Sequence, residues 1–314
     1  MKNMLSTQEA EMPFIGRDSS YTHVITVTSG KGGVGKTNVV ANLAVALSRA
    51  GKEVLVLDAD LGLGNIDVLL GLVPRYTLEH VLSGSHHLSD IVIQGPSGIH
   101  VLPASSGLPQ LTSLSEAQQL LLQSELEDVA KTVDVLLIDT GAGVSPNVTY
   151  FASAAQETVV VISPEPTSLT DAYALIKVLC RQHRERRFKV LVNMVKSQRD
   201  ATQTFRKLDA AADRFLNINL EYLGYIPFDD YLPMAVLEQK AVTECFPGSP
   251  ASRAFVQLAR QIAEWPVPQL PKSTVQFLWT VRGMPVWRLK SSRNLAIPCS
   301  SRPSLVPVDA AVKD

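Results

Sequence analysis

The 314-residue sequence predicts an α/β fold, a doubly wound and mostly parallel sheet with helices on both faces, and three observations carry that prediction. A strand-like run at residues 24–28 leads through a glycine-rich turn into a helical pattern that begins near Thr37. Two unbroken apolar runs, Val54-Leu-Val-Leu57 and Val135-Leu-Leu-Ile138, each end on an aspartate, as strands buried on both faces do where their carboxyl ends meet a ligand. Seven strand-like runs alternate with helical patterns, the order that parallel strands require because each needs a long crossover.

Taken in order, residues 1–22 are weakly patterned, with Pro13 and Gly16 interrupting any helix, and read as an N-terminal extension. After the glycine turn, Val39, Val40, Leu43, Ala44 and Leu47 fall at helical spacing, and Gly51 follows as a stop. A strand over 53–58 completes a βαβ unit, whose crossover is expected to be right-handed. Further strands are expected at 99–103, 134–139, 158–163, 188–195 and 220–226, and helices at 113–131, 167–184 and 199–216. No Pro-, Ser- or Gly-rich linker divides residues 23–265, so this span reads as one domain. Beyond Trp265, Pro266, Pro268 and Pro271 break regular structure. The last 49 residues carry seven Lys or Arg against two Asp, so 266–314 reads as a basic C-terminal tail.

Composition narrows the function classes. With 29 Lys plus Arg against 30 Asp plus Glu, the net charge is −1, which gives no global attraction to nucleic acid or anionic lipid. Cys180, Cys245 and Cys299 form no C-x-x-C pair, against a zinc or iron–sulfur site and for a reducing compartment. No signal-peptide pattern is present, and no run approaches the ~18 apolar residues a membrane span needs. A cytoplasmic protein is expected.

Ser29-Gly-Lys-Gly-Gly-Val-Gly-Lys-Thr37 is the chemical centre of the sequence. Gly30, Gly32, Gly33 and Gly35, with Val34 among them, let successive backbone N–H groups face a polyphosphate. Lys36 brings a charge to the β- and γ-phosphates, the Thr37 hydroxyl is placed for Mg²⁺, and the helix that follows offers its positive end. Asp58, Asp60 and Asp139 stand at strand ends that converge on this loop. A carboxylate at Asp139 can hold Mg²⁺, usually through water, and the adjoining Gly141 and Gly143 let the loop move against a γ-phosphate. Capping of the next helix is the alternative for Asp139. Lys31, a second lysine that the phosphate motif does not need, lies among glycines rather than among local partners.

The string from Lys31 to Thr37 resembles the deviant Walker A loop of the MinD/ParA ATPases. That resemblance implies a MinD-like P-loop fold, ATP and Mg²⁺ as cofactors, and slow hydrolysis of ATP to ADP and phosphate. It also implies an ATP-state homodimer in which Lys31 reaches the other subunit's phosphates, so Lys31 joins Lys36 as a catalytic candidate. Asp58-Ala-Asp60-Leu-Gly-Leu-Gly-Asn65-Ile-Asp67 is similar to the family's switch I, which makes Asp60 the residue that orients the attacking water and, with Thr37 and Asp139, a metal-site candidate. Asn65 and Asp67 also suit helix caps. Ser163 to Ala172 is similar to the segment that faces the dimer partner. Glu165 and Asp171 are thus candidate partners for Lys31, in cis or in trans, or ordinary acids of a first helical turn. Asn193 matches the adenine-reading asparagine, and Ile226-Pro227-Phe-Asp229 the loop over the base, where Pro227 also suits a strand terminator. The cofactor-binding set is residues 30–37, Asn38, Glu165, Asn193, Pro227 and Asp229.

Within the group, Gly35-Lys-Thr-Asn38, residues 58–72, residues 164–177, Asn193-Met194 and residues 241–246 are most similar to the flagellar-number regulators of the FlhG/FleN branch. The branch implies a switch that opposes an FlhF-like GTPase or a FleQ-like transcriptional activator. Relatives carry an N-terminal activator helix of which only Gln8-Glu9-Ala10 is present here, so the activator route is preferred. Two rivals differ in their partners. A MinD-type site-selection ATPase would touch membrane through the tail, where Val275, Phe277, Trp279 and Trp287 lie near Arg282 and Arg288, but Gly283 and Pro285 divide that stretch. Such contact would place the protein peripherally at the inner face of the membrane or at the cell pole. A ParA-type DNA-partition ATPase would use Arg181, Arg184, Arg186, Arg187 and Lys189, with Arg199, Arg206, Lys207 and Arg214. A solvated helix end is the commoner meaning of such a run, and direct nucleic-acid binding is not favoured.

Overall fold

The computed structural model describes residues 22–104 and 113–266. The N-terminal Gln8-Glu9-Ala10, Cys299 and the basic tail beyond Pro266 lie outside the described residues.

The strand β1, His23–Ser29, is rich in β-branched residues and feeds alternate side chains to opposite faces of the sheet. The helix α1, Lys36–Arg49, packs its Val39, Val40, Leu43 and Leu47 inward, and the strand β2, Val54–Ala59, follows Gly51, whose φ of 87° makes the turn. Three short helices come next: α2, Ile66–Leu69; α3, Leu78–Leu82; and α4, Leu88–Ile91. Then come β3, Ile93–Gln94, β4, His100–Leu102, and α5, Glu116–Ala130. The remainder alternates: β5, Val135–Ala142; α6, Pro146–Ala154; β6, Glu157–Ile162; α7, Pro166–His183; β7, Lys189–Val195; α8, Gln198–Leu216; β8, Glu221–Pro227. Two short helices, α9, Tyr231–Leu237, and α10, Val242–Cys245, lead to the closing α11, Pro250–Ala263.

The eight strands run in the order β3-β4-β2-β5-β1-β6-β7-β8, parallel except for β3 against β4. Ile25, Val27, Val56 and Leu137 face one layer, where α1 and α11 pack with Phe255, Leu258 and Ile262. Leu55, Leu57, Leu136 and Ile138 face the other layer, formed by α3 to α6. That second layer continues through Val160, Val190 and Val192 against α7 and α8. The unbroken apolar runs of β2 and β5 thus come from burial on both faces.

Three features differ from the sequence reading. The sheet has an eighth strand, since β3 is two residues long and too short to show a period. The helices α6 and α11 are absent from the sequence reading, although Ser145-Pro146 and Ser249-Pro250 mark their starts and, in α11, Phe255, Leu258, Ala259 and Ile262 fall at helical spacing. Each serine accepts a hydrogen bond from a first-turn N–H, and each proline sits at the first helical position. Finally, β5 does not end at Asp139: Ala59 pairs with Thr140 and Ser29 with Ala142, so strands on both sides carry it three residues further. The break comes at Gly143, whose φ is 91°.

Candidate nucleotide site

The glycine loop, residues 30–35, joins β1 to α1 at the centre of the sheet. Gly33 and Gly35 have φ values of 76° and 88°, where a side chain is strained. Gly30 is required for space instead: a Cβ there would stand 2.0 Å from the Asp171 carbonyl carbon, so the loop lies against the backbone of α7. On its other side, Asn193 at the end of β7 donates from Nδ2 to the Val34 carbonyl at 2.8 Å. The loop is thus clamped between α7 and β7. Gly35 caps α1 without any side-chain hydrogen bond, and no acidic residue occupies the first turn, so the open N–H groups there are left for an anion. Lys36, only 9% exposed, starts that turn.

Asp58 and Asp139 are register partners on adjacent strands and face the α1 layer together. Both are buried. Asp58 Oδ1 accepts from the Asp60 N–H and Oδ2 from the Ile66 N–H, each at 3.2 Å, so one carboxylate fixes the start and the end of the segment 60–66. Burial, then the charge of Asp139, pushes the Asp58 carboxyl well above its ordinary range. Burial likewise raises Asp139 to about 6, against the pull of the Lys36 ammonium and a hydrogen bond from Thr37. Asp139 Oδ1 is buried without a hydrogen-bond partner. An unmatched carboxylate oxygen beside the Thr37 hydroxyl is a donor set that fits Mg²⁺. Asp60, half-buried, completes the group, with its carboxylate 3.4 Å from where a Cβ would stand on Gly141.

The other sequence candidates have mixed outcomes. Lys31 is not partnerless: its ammonium pairs with Glu165, the residue that precedes α7, and not with Asp171. Asn65 occupies the cap position of α2 but donates to the Leu63 carbonyl, and the first N–H of that helix goes to Asp58. Asn193 is buried and accepts the Met194 N–H at 2.9 Å in addition to holding Val34, leaving one amide N–H and one lone pair free. Pro227 ends β8 opposite Val195, beside the exposed Met194 and Phe228. Asp229 presents no free carboxylate: Oδ1 accepts from Tyr231 N–H at 3.0 Å and Oδ2 from Ala251 N–H at 2.8 Å, which braces α9 and α11. In the basic run, Arg186 donates to the Leu216 carbonyl, and Lys189 bridges Glu157 and Glu221.

The arrangement can do four things at one sheet edge: bind a polyphosphate, hold a divalent cation, aim a carboxylate at a γ-phosphate, and offer a second lysine. Residues 20–263 match the model of a family described as ParA, NUBPL iron-transfer P-loop NTPase. The chain is a ParA/MinD-family P-loop NTPase. Over 254 residues, 81% of this chain and 91% of the relative, it is 48% identical to the antiactivator FleN of Pseudomonas aeruginosa. It is 35% identical over 239 residues, 76% of this chain and 81% of the relative, to the flagellum site-determining protein YlxH of Helicobacter pylori. Among solved structures, the septum site-determining protein MinD with Mg-ADP from Pyrococcus horikoshii superimposes with a TM-score of 0.63 at 26% identity. That match covers 77% of this chain and 96% of the other.

This NTPase centre makes two predictions. Gly30→Ala drives a side chain into the α7 backbone and is expected to cost about 3 kcal/mol or more of stability, read as a lower urea midpoint. The Asp139 carboxyl rises on folding from an ordinary 3.8 to about 6, so between those values the folded chain binds more protons than the unfolded one. Stability then falls as pH rises through that window. The melting temperature of nucleotide-free protein is therefore expected to be higher at pH 5.5 than at pH 7.5, and Asp139→Asn flattens the difference.

Proposed function

We propose that this NTPase is an ATP-driven, dimerising switch that hydrolyses ATP to ADP and phosphate and regulates flagellar number. The observation that carries the reading is Lys31, a second lysine beside a complete phosphate loop and at the same sheet edge as Asp60 and Asp139. In a single chain it rests on Glu165, a partly exposed pair worth at most about 1 kcal/mol, so it is released at little cost. Released, it reaches the phosphates held by a second copy.

The phosphates of ATP lie against the backbone N–H groups of residues 30–37, with Lys36 on the β- and γ-phosphates and Asn38 within the first turn. Thr37 and Asp139 would hold Mg²⁺, with Asp60 beside them; when bound, the ion neutralises charge on the β- and γ-oxygens. Asp60, its own N–H anchored on Asp58, orients the attacking water. Asn193 offers its remaining donor and acceptor to adenine, and Met194, Pro227 and Phe228 offer apolar surface to the ring. Similarity to an antiactivator supports a FleQ-like transcriptional activator as the partner of the ATP form, with an FlhF-like GTPase as the second candidate. The described residues hold no helix long and apolar enough to cross a membrane, which agrees with a cytoplasmic switch that visits the inner membrane face or pole peripherally.

Asp60→Ala is expected to keep ATP binding and ATP-induced dimerisation while lowering single-turnover phosphate release about 100-fold or more; unchanged release removes Asp60 from the chemistry. Lys31→Ala is expected to leave ATP binding by the monomer intact and to abolish the dimer in sedimentation velocity. Glu165→Gln should lower the ATP concentration at half-dimerisation by no more than about fivefold, the equivalent of a weak surface pair.

A further inference from the structure

β8 is an edge strand, paired with β7 on one side and, among the described residues, with nothing on the other. Over that open edge hangs a groove of about 480 Å³ between β8 and α11. Arg253, Gln257 and Gln261 stand four residues apart on α11 and form a row of long hydrogen-bonding side chains along it, while Tyr222, Tyr225 and Leu258 supply apolar wall. An exposed edge of this kind is a template for one more strand.

The chain itself delivers a candidate to this place. The helix α11 runs back along β8: Ala251 in its first turn bonds Asp229 just beyond the carboxyl end of the strand, and Gln261 lies toward the amino end. It ends at Trp265, whose ring lies 4.7 Å from the Lys189 ammonium, and Lys189 in turn binds Glu221 at the first residue of β8. The chain thus leaves the described residues at the amino end of the open strand. Ten residues on, outside the described residues, comes Val275-Gln-Phe-Leu-Trp-Thr-Val281. Val275, Phe277, Trp279 and Val281 alternate with Gln276, Leu278 and Thr280, the period-2 pattern of β-branched and aromatic residues that favours a strand.

We propose that residues 275–281 add to the free edge of β8 as a ninth, antiparallel strand. Direction follows from handedness. The β7-α8-β8 crossover moves outward along the sheet with α8 in the layer opposite α11. A parallel strand placed outside β8 directly after α11 would therefore need a left-handed crossover, which sheets avoid. An antiparallel strand must start at the far end of β8, roughly 23 Å away for seven residues at ~3.3 Å each. Residues 267–274, with Pro268 and Pro271, span roughly 25 Å at ~3.1 Å per residue in the extended form prolines favour. The length matches. Gln276 and Thr280 then meet the row of Arg253, Gln257 and Gln261, and the aromatic face meets Tyr222 and Tyr225.

Hydrogen exchange on the full chain tests this. The amides of residues 222–226 that point to the open edge are expected to exchange at least about tenfold faster in the Phe277→Glu/Trp279→Glu protein than in the unsubstituted one, with β1 amides and ATP binding unchanged as controls. Equal β8 exchange in the two proteins overturns the proposal. So does equal exchange joined to loss of sedimentation with phosphatidylglycerol vesicles, which would assign the segment to the membrane surface. Should the double variant not fold, the Gln261→Cys/Thr280→Cys pair decides instead. Disulfide formation within one chain supports the strand, and its absence under oxidation overturns it.

Discussion

Two carboxylates buried side by side, Asp58 on β2 and Asp139 on β5, are the constraint around which the nucleotide edge of this protein is built. Like charges in a dry site are costly, and one lysine serves the pair: Lys36 acts on Asp139, while Asp58 accepts two backbone N–H groups. The free chain therefore carries an electrostatic deficit that a divalent cation relieves. The same deficit holds the segment 60–66 in place, because the N–H groups of Asp60 and Ile66 are the donors that make Asp58 tolerable. Ligand binding and switch position are thereby tied to one pair of side chains.

Much of this was legible in the sequence because its physics is local. A complete phosphate loop between a strand and a helix, and two apolar runs ending in aspartate, determine the sheet centre and put Asp60, Asp139 and Lys36 at one edge. What was illegible depends on neighbours distant in sequence. Gly30 reads as a glycine needed for its backbone angles but is required for space against the backbone of Asp171. Asp229 reads as a loop acid near the base but braces two helices through Tyr231 and Ala251. Asn65 has the right residue type for a helix cap, yet the N–H it would have taken is already bound by Asp58. The two-residue β3 has no period to detect, while α6 and α11 were legible from their Ser-Pro starts and, in α11, from the helical spacing of Phe255, Leu258, Ala259 and Ile262.

The loop is also held more rigidly than its glycine content suggests. Gly30 against α7 and Val34 against Asn193 fix it from both sides, so the glycines supply close approach and left-handed turns rather than mobility. Preorganisation of this kind removes the ordering cost from phosphate binding.

The segment after β2 has a mechanical extension. Gln239, just after α9, donates to the carbonyl of Val68 in α2 at 2.9 Å and packs over Gly71. Asp58 hangs the start of α2 from the nucleotide-site edge of the sheet, and Gln239 pins its end to the α9–α10 surface. The short helix is therefore a strut between chemistry and exterior. It carries the exposed side chain of Val68, and Val73 lies exposed a few residues beyond it, so any displacement of Asp58 would be felt at the surface through one short lever.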